Sequence, residues 1–222
     1  MRRVILNFHG IGEPNRTLEP GEAPYWVSHS YFEDVLKMAS QLKDQVSTAL
    51  TFDDGNSSDI TLAAPLLAHY DVRATFFVLS SRLDKPGSLR SMDLRSLVSD
   101  GHKIGSHGAD HVDWTALGPD EEHREWTEAR DMIANAANQD IDCAAIPFGR
   151  YRKRVLCGLK ANGFSEIYSS DGGAWHGNTP PIPRTSPRCD MSLETIKALL
   201  LGHETARQTL RRRFAMAVKR RI

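Results

Sequence analysis

The chain is poor in cysteine, carries no net charge and has no long apolar run, and each absence removes a class of protein. Its three cysteines, Cys143, Cys157 and Cys189, are odd in number and widely spaced among 222 residues. They suggest neither a disulfide framework nor a paired-cysteine metal site. The 28 Lys and Arg are balanced by 28 Asp and Glu, so no global charge draws the chain to nucleic acid, and no such partner is expected. The N-terminal stretch "MRRVILNFHGIGEP" has only Val4 to Leu6 and Phe8 as its apolar run. That is too short for a signal-peptide core or a membrane span, and a cytoplasmic location is expected. Neither G-x-G-x-x-G nor G-x-x-x-x-G-K-[ST] occurs, which removes the usual nucleotide-binding signatures.

What is present is an alternation of short apolar strands and amphipathic helices. "RVILNFHG", "STALTFDD", "RATFFVLS", "HKIGSHG", "CAAIPFG" and "FSEIYSSD" read as strands. Between them "YFEDVLKMASQLKD", "ITLAAPLLAHYD", "MDLRSLVSDG", "PDEEHREWTEARDMIANAAN" and "RVLCGLKANG" read as helices. Ser57, Ser58 or Asp59 is expected to cap the second helix, and Asn56 to belong to that cap rather than to a glycosylation sequon. "PPIPRTSP" reads as a last short strand or edge, followed by the helix "SLETIKALLLG". Such an order argues an α/β domain with a mainly parallel sheet. Periodicity alone leaves both an open doubly wound sheet and a closed barrel possible. The chain divides at Gly202-His203 into a domain, 1–202, and a basic helical tail, 203–222.

Chemistry-bearing residues collect at the ends of predicted strands, where α/β folds place their sites. Asp53 and Asp54 end one strand, His107 and His111 follow another, "PFG" a third and "SSDGGAW" a fourth. Two histidines four apart and a carboxylate from another strand are the ingredients of a His₂-carboxylate metal site with an open position for water.

In that order and spacing "TFDDG", "SHGADH" and "IPFG" resemble the polysaccharide deacetylase (NodB-homology) family, carbohydrate esterase family four, over roughly Val46 to Trp175. The resemblance implies a single-domain distorted (β/α) barrel and a hydrolase that removes an N-acetyl group from a saccharide or polysaccharide. It implies that Asp54, His107 and His111 bind a divalent metal, zinc above all, and that Asp53 is the general base. The backbone N–H of Phe148 would hold the oxyanion, with Pro147, Asp171, Trp175 and His176 along the sugar groove. A dication would also let two adjacent carboxylates tolerate each other.

Two departures stand out. Ala145 occupies the place of an arginine that in this family orients the base, and Arg184 in "IPRTSP" is the candidate replacement. The L-x-H motif that supplies the general acid is missing; His9 in "NFHGIG" is the candidate at the same rim, with His176 a second and His203 a weaker third. These departures keep open an O-acetyl esterase or non-sugar amide hydrolase with the same metal site, and a non-catalytic glycan-binding barrel. The tail interleaves Arg211, Arg212, Arg213, Lys219, Arg220 and Arg221 with Leu210, Phe214, Met216 and Val218. It is expected to pack its apolar side on the barrel; the other reading is peripheral contact with an anionic membrane surface.

Overall fold

The computed structural model describes residues 1–175, 177, 179–203 and 205–221, with 206 and 208 described for their backbone alone. Ten strands are present among them: β1 (Arg2–Phe8), β2 (Gly10–Ile11), β3 (Trp26–Val27), β4 (Val46–Phe52), β5 (Ala74–Val78), β6 (Lys103–Ser106), β7 (Cys143–Ala145), β8 (Glu166–Ser169), β9 (Ala174–Trp175) and β10 (Ile182–Pro183). The helices are α1 (His29–Gln41), α2 (Ala64–His69), α3 (Ser91–Ser99), α4 (Pro119–Glu122), α5 (Ala129–Ala137), α6 (Lys153–Ala161), α7 (Leu193–Leu201) and α8 (Ala206–Lys219). Among the described residues no helix is long and apolar enough to cross a membrane.

Eight strands form one sheet in the order β10-β8-β7-β6-β5-β4-β1-β9. All neighbours are parallel except β9, which runs antiparallel to β1. The segment that begins as β10 closes the sheet on itself. It pairs with β8 through Ile182 and Pro183. Two residues later the Thr185 N–H donates to the Ile5 carbonyl and the Thr185 carbonyl accepts from the Asn7 N–H, both at 2.9 Å. The fold is thus a nearly closed, distorted α/β barrel, and the short final edge in the sequence is its seam.

Alternation along each strand sorts side chains between two cores. Val4, Leu6, Phe8, Leu50, Phe52, Phe76, Val78 and Ala144 point outward, into a large core with the helices. Phe52 stacks on Phe76 at 4.7 Å, and burying each such ring contributes about 1.5–3 kcal/mol. Ile5, Phe77, Cys143, Ala145, Tyr168 and Ile182 point inward and fill the barrel. A Cβ on Gly105 would lie 2.5 Å from the Phe77 ring and 2.8 Å from Cys143 Sγ, so that strand passes only because it lacks a side chain there. Below this plug Lys103 pairs with Asp142 (2.8 Å) and Glu166 (3.0 Å). Above it the inward positions turn polar, which is where the site begins.

Helix starts are capped by a side chain in some places and not in others. Ser28 caps α1 and Ser192 caps α7 through their hydroxyls. Ahead of α2, however, a π-helical turn spans Asp59–Ala63, and Ser58 makes no capping bond. The Ser58 hydroxyl instead accepts from Ile11 N–H at 3.2 Å. Asn56, buried, donates to the His9 carbonyl at 3.0 Å and accepts from Arg16 at 2.8 Å. The expected cap is therefore a tie between the β4 loop and the β1 loop.

The tail departs from expectation in orientation. The polar side of α8 faces the barrel, where Lys219 reaches Asp171 at 2.7 Å and the Gly149 carbonyl at 3.2 Å. Arg220 donates to the Thr179 carbonyl at 3.1 Å. Met216 is buried with them, whereas Leu210, Phe214 and Val218 face outward.

Candidate active site

At the carboxyl ends of the parallel strands lies a cavity of about 330 Å³, lined by His9, Asp53, Asp54, His107, His111 and Phe148 together with Glu19, Glu22 and Tyr25. The strand ends deliver these groups in turn: β1 runs to His9, β4 to Asp53 and Asp54, β6 to His107, and β7 to the turn Pro147–Gly149.

Asp53 is buried and fully engaged. The Arg184 guanidinium, itself 0% exposed, meets it fork to fork, Nη1 to Oδ1 at 2.7 Å and Nη2 to Oδ2 at 2.8 Å. Asn7 donates to Oδ2 at 2.9 Å, and Asn7 Oδ1 accepts from Arg184 (2.8 Å) and Thr51 (2.7 Å). Burial by itself would raise the Asp53 carboxyl; Arg184, with His107 and His9, holds it well below the usual carboxylate range. Phe77 and Tyr168 flank the guanidinium at 5.1 and 5.7 Å, so the pair is sealed from beneath by the barrel plug.

Asp54 is as buried as Asp53 but is not paired in that way. Its Oδ1 has no hydrogen-bond partner among the described residues. His107 Nε2 and His111 Nε2 each lie 3.7 Å from it, too far for a hydrogen bond. One ligand atom from each of the three lies within 4.8 Å of the others. Both rings are held in the matching tautomer. His107 Nδ1 is 2.8 Å from the Ala145 carbonyl and His111 Nδ1 is 2.7 Å from Glu19 Oε2. Those partners only accept, so each Nδ1 carries a proton and each Nε2 offers its lone pair toward Asp54. Burial pushes His107 down to about 4, against the pull of Asp53, which keeps it neutral and fit to ligate. An orphaned carboxylate oxygen facing two lone-pair nitrogens fits a divalent cation.

The backbone is bent to bring these groups together. Among the described residues six non-glycine residues have positive φ, and three of them meet here: Asp54 (75°), His111 (55°) and Phe148 (56°). Side chains other than glycine rarely adopt this region, and it recurs at functional sites. Glu125 supports the His107–His111 loop, accepting from Ala109 N–H (2.9 Å), Asp110 N–H (3.1 Å) and Trp114 Nε1 (3.2 Å). At Gly149 a Cβ would meet Ser170 N at 2.8 Å, so the Phe148 turn packs directly on the end of β8. The Phe148 ring, 52% exposed, covers His111 at 4.4 Å.

A cap between β2 and β3 completes the cavity. Arg82 pairs with Glu19, and Arg16 with Glu22. Tyr25 lies 4.9 Å from the His9 ring. His9 Nδ1 is buried without a partner among the described residues. Glu19, Asn7 and Glu125 were not singled out from sequence. Asn7 had a signal, a lone amide inside the apolar run "VILNF". Glu19 and Glu125 had none, lying in a Pro/Gly-rich loop and in a charged run that reads as a solvated helix face.

Other expected groove residues lie elsewhere. Pro147 is buried behind the Phe148 turn. Asp171 accepts from Tyr151 (2.9 Å), Ser169 (2.6 Å) and Lys219 (2.7 Å). It faces a separate cavity of about 550 Å³ that also holds His203, so neither residue reaches the cavity lined by Asp53 and Asp54. Trp175 pairs with Arg3 at the start of β1 and packs against the inner barrel cluster. It therefore sits at the far end of the barrel and lines no groove with Asp53. His176 lies outside the described residues.

Comparison with known proteins agrees in sequence and in shape. The family model for polysaccharide deacetylases matches residues 41–167, more than half of the chain. YxkH of Bacillus subtilis, which carries the polysaccharide deacetylase name, is 26% identical over 181 residues, covering 77% of this chain and 65% of its own length. The peptidoglycan-N-acetylglucosamine deacetylase PgdA of Listeria monocytogenes is 34% identical over 133 residues, 58% of this chain and 28% of PgdA. The chain thus spans less than two thirds of the length of these relatives. In fold it is similar to the Streptococcus pyogenes deacetylase PplD, with a TM-score of 0.76 at 20% identity, covering 90% of this chain and 98% of PplD.

Proposed function

The chain belongs to the polysaccharide deacetylase family, and on that premise we propose that it is a metal-dependent hydrolase removing N-acetyl groups from a saccharide. The observation that carries this reading is the unpartnered Asp54 Oδ1 facing two histidine Nε2 atoms, each at 3.7 Å. Asp54, His107 and His111 would hold the cation, zinc in our reading. When bound, it supplies Lewis acidity and a readily deprotonated water.

The chain's own residues do the rest. Asp53, kept ionised by Arg184, takes the proton of the attacking water. Its two oxygens are pinned, so the carboxylate is oriented before substrate arrives. The Phe148 N–H donates to the oxygen that becomes negative as the carbonyl turns tetrahedral. His9 protonates the departing amine, a step an amide needs because a free amide anion is a poor leaving group. His9 supports this role by its place in the cavity and its unpartnered Nδ1. The exposed Phe148 ring offers a face on which a sugar can stack. The relatives named for peptidoglycan and chitooligosaccharide deacetylation point to acetylated amino sugars as the substrates to try.

The test is metal content and acetate release measured together. Wild type should hold about one equivalent of zinc and release acetate from N-acetylglucosamine oligomers, while His111→Ala should hold little. Asp53→Asn should keep its metal and lose activity by about 10²–10⁴-fold. Full metal in His111→Ala would overturn the ligand assignment. A wild type that takes up no zinc would overturn the hydrolase, leaving the glycan-binding barrel. Release from O-acetyl esters but never from amides would move the substrate class.

A further inference from the structure

Helix α8 is amphipathic the wrong way round for a helix that only packs on a domain. Its inner face is Thr209, Arg212, Met216, Lys219 and the adjoining Arg220, held by the bonds of Lys219 to Asp171 and Gly149 and of Arg220 to Thr179. Its outer face carries Leu210, 70% exposed, Phe214, 71% exposed, and Val218, 39% exposed. These three are spaced four apart, so they form one slowly winding ridge along the helix. Single exposed apolar residues are ordinary, whereas an aligned ridge marks a surface that something covers. The helix cannot hide the ridge by rolling inward without breaking the Lys219–Asp171 pair.

We propose that this outer face docks on an anionic phospholipid bilayer, a function separate from the deacetylase reading and independent of it. Charge chooses the occupant. Exposed Arg207, Arg211, Arg213 and Arg221 flank the ridge, and 206–221 holds seven basic residues and no acidic one. The chain as a whole is neutral, so this charge is a local concentration. Apolar side chains between arginines match a bilayer's acyl boundary beneath its anionic headgroups. A second copy of the chain offers a poor match, because this face against itself sets arginine opposite arginine in a helix with no carboxylate to relieve it. A phosphate backbone would take up the arginines and leave the ridge wet.

The experiment is co-sedimentation of the full chain with phosphatidylcholine vesicles, with and without phosphatidylglycerol. Wild type should pellet with the anionic vesicles and far less with the neutral ones, and added salt should weaken the binding. The pair Leu210→Ser and Phe214→Ser should weaken it by about tenfold or more. Arg207→Gln with Arg211→Gln should remove the preference for anionic lipid. Unchanged circular dichroism and thermal midpoint in both variants show that the helix and barrel persist. A wild type that stays in the supernatant overturns the proposal, as does equal pelleting of the serine variant. Loss of a solution dimer in that variant would assign the face to a second copy and overturn it too.

Discussion

Residues 41–167, the part that matches the family model, and the segments on either side of it contribute different things to one cavity. The matched part brings Asp53, Asp54, His107, His111 and Phe148 on successive strand ends. The flanks bring Asn7, His9, Glu19 and Arg184, which hold or complement those groups. Cut at 41 and 167, the barrel would keep its candidate ligands, Asp53 and the Ala145 and Glu125 supports of the histidine loop, and lose Arg184, Asn7 and Glu19. The comparison teaches that a reactive constellation and its support need not travel together along a chain. A guanidinium brought in from the seam just after β10 reaches Asp53 at the end of β4 across the barrel.

The largest effect should come from the seam. Arg184→Met leaves Asp53 charged and buried with Asn7 as its remaining donor, and breaking such a pair costs about 3–5 kcal/mol. Chemical denaturation of Arg184→Met beside the double variant Asp53→Leu, Arg184→Met checks it. The double variant should recover much of the loss, because no uncompensated charge remains. If the single variant is as stable as wild type, the flank is not supporting Asp53.

Next in size is His9→Gln, which should lower amide turnover by about 10²-fold with metal content unchanged. The same variant should act nearly normally on an ester with a good leaving group, which needs no proton. Equal losses on both substrates would place His9 in binding rather than proton transfer. The smallest effect belongs to the cap: Glu19→Gln should weaken metal affinity by about 10–100-fold, read by competition with a chelating dye. An affinity equal to wild type would reduce Glu19 to a wall of the cavity.

Much of the matched half was legible in the sequence, and for physical reasons. Strands alternate and helices repeat at their own periods, so apolar pattern placed β4, β5 and β6 and the residues at their ends. Barrel closure was not legible that way, because the period of a strand is the same in an open and a closed sheet. It rests on Thr185 bonding across to Ile5 and Asn7, a contact between distant parts of the chain. Trp175 and the tail misled in opposite directions. The family resemblance put Trp175 in a sugar groove, and it packs at the barrel's far end. An apolar stripe suggested packing, yet the long arms of Lys219 and Arg220 won the inner face through carboxylate and carbonyl partners. Glu125 illustrates the remaining limit: a glutamate in a charged run gives no sign that three donors await it.

The three left-handed residues of the site also bear on how such a chain can change over generations. At Asp54, His111 and Phe148 the backbone is held where glycine alone is at ease. Replacing any of them by glycine relieves local conformational strain, and at Asp54 and His111 it also removes a candidate ligand. Selection for robustness and selection for turnover therefore pull these positions apart. A descendant that made no use of those side chains would be free to relax first at those positions, its barrel intact.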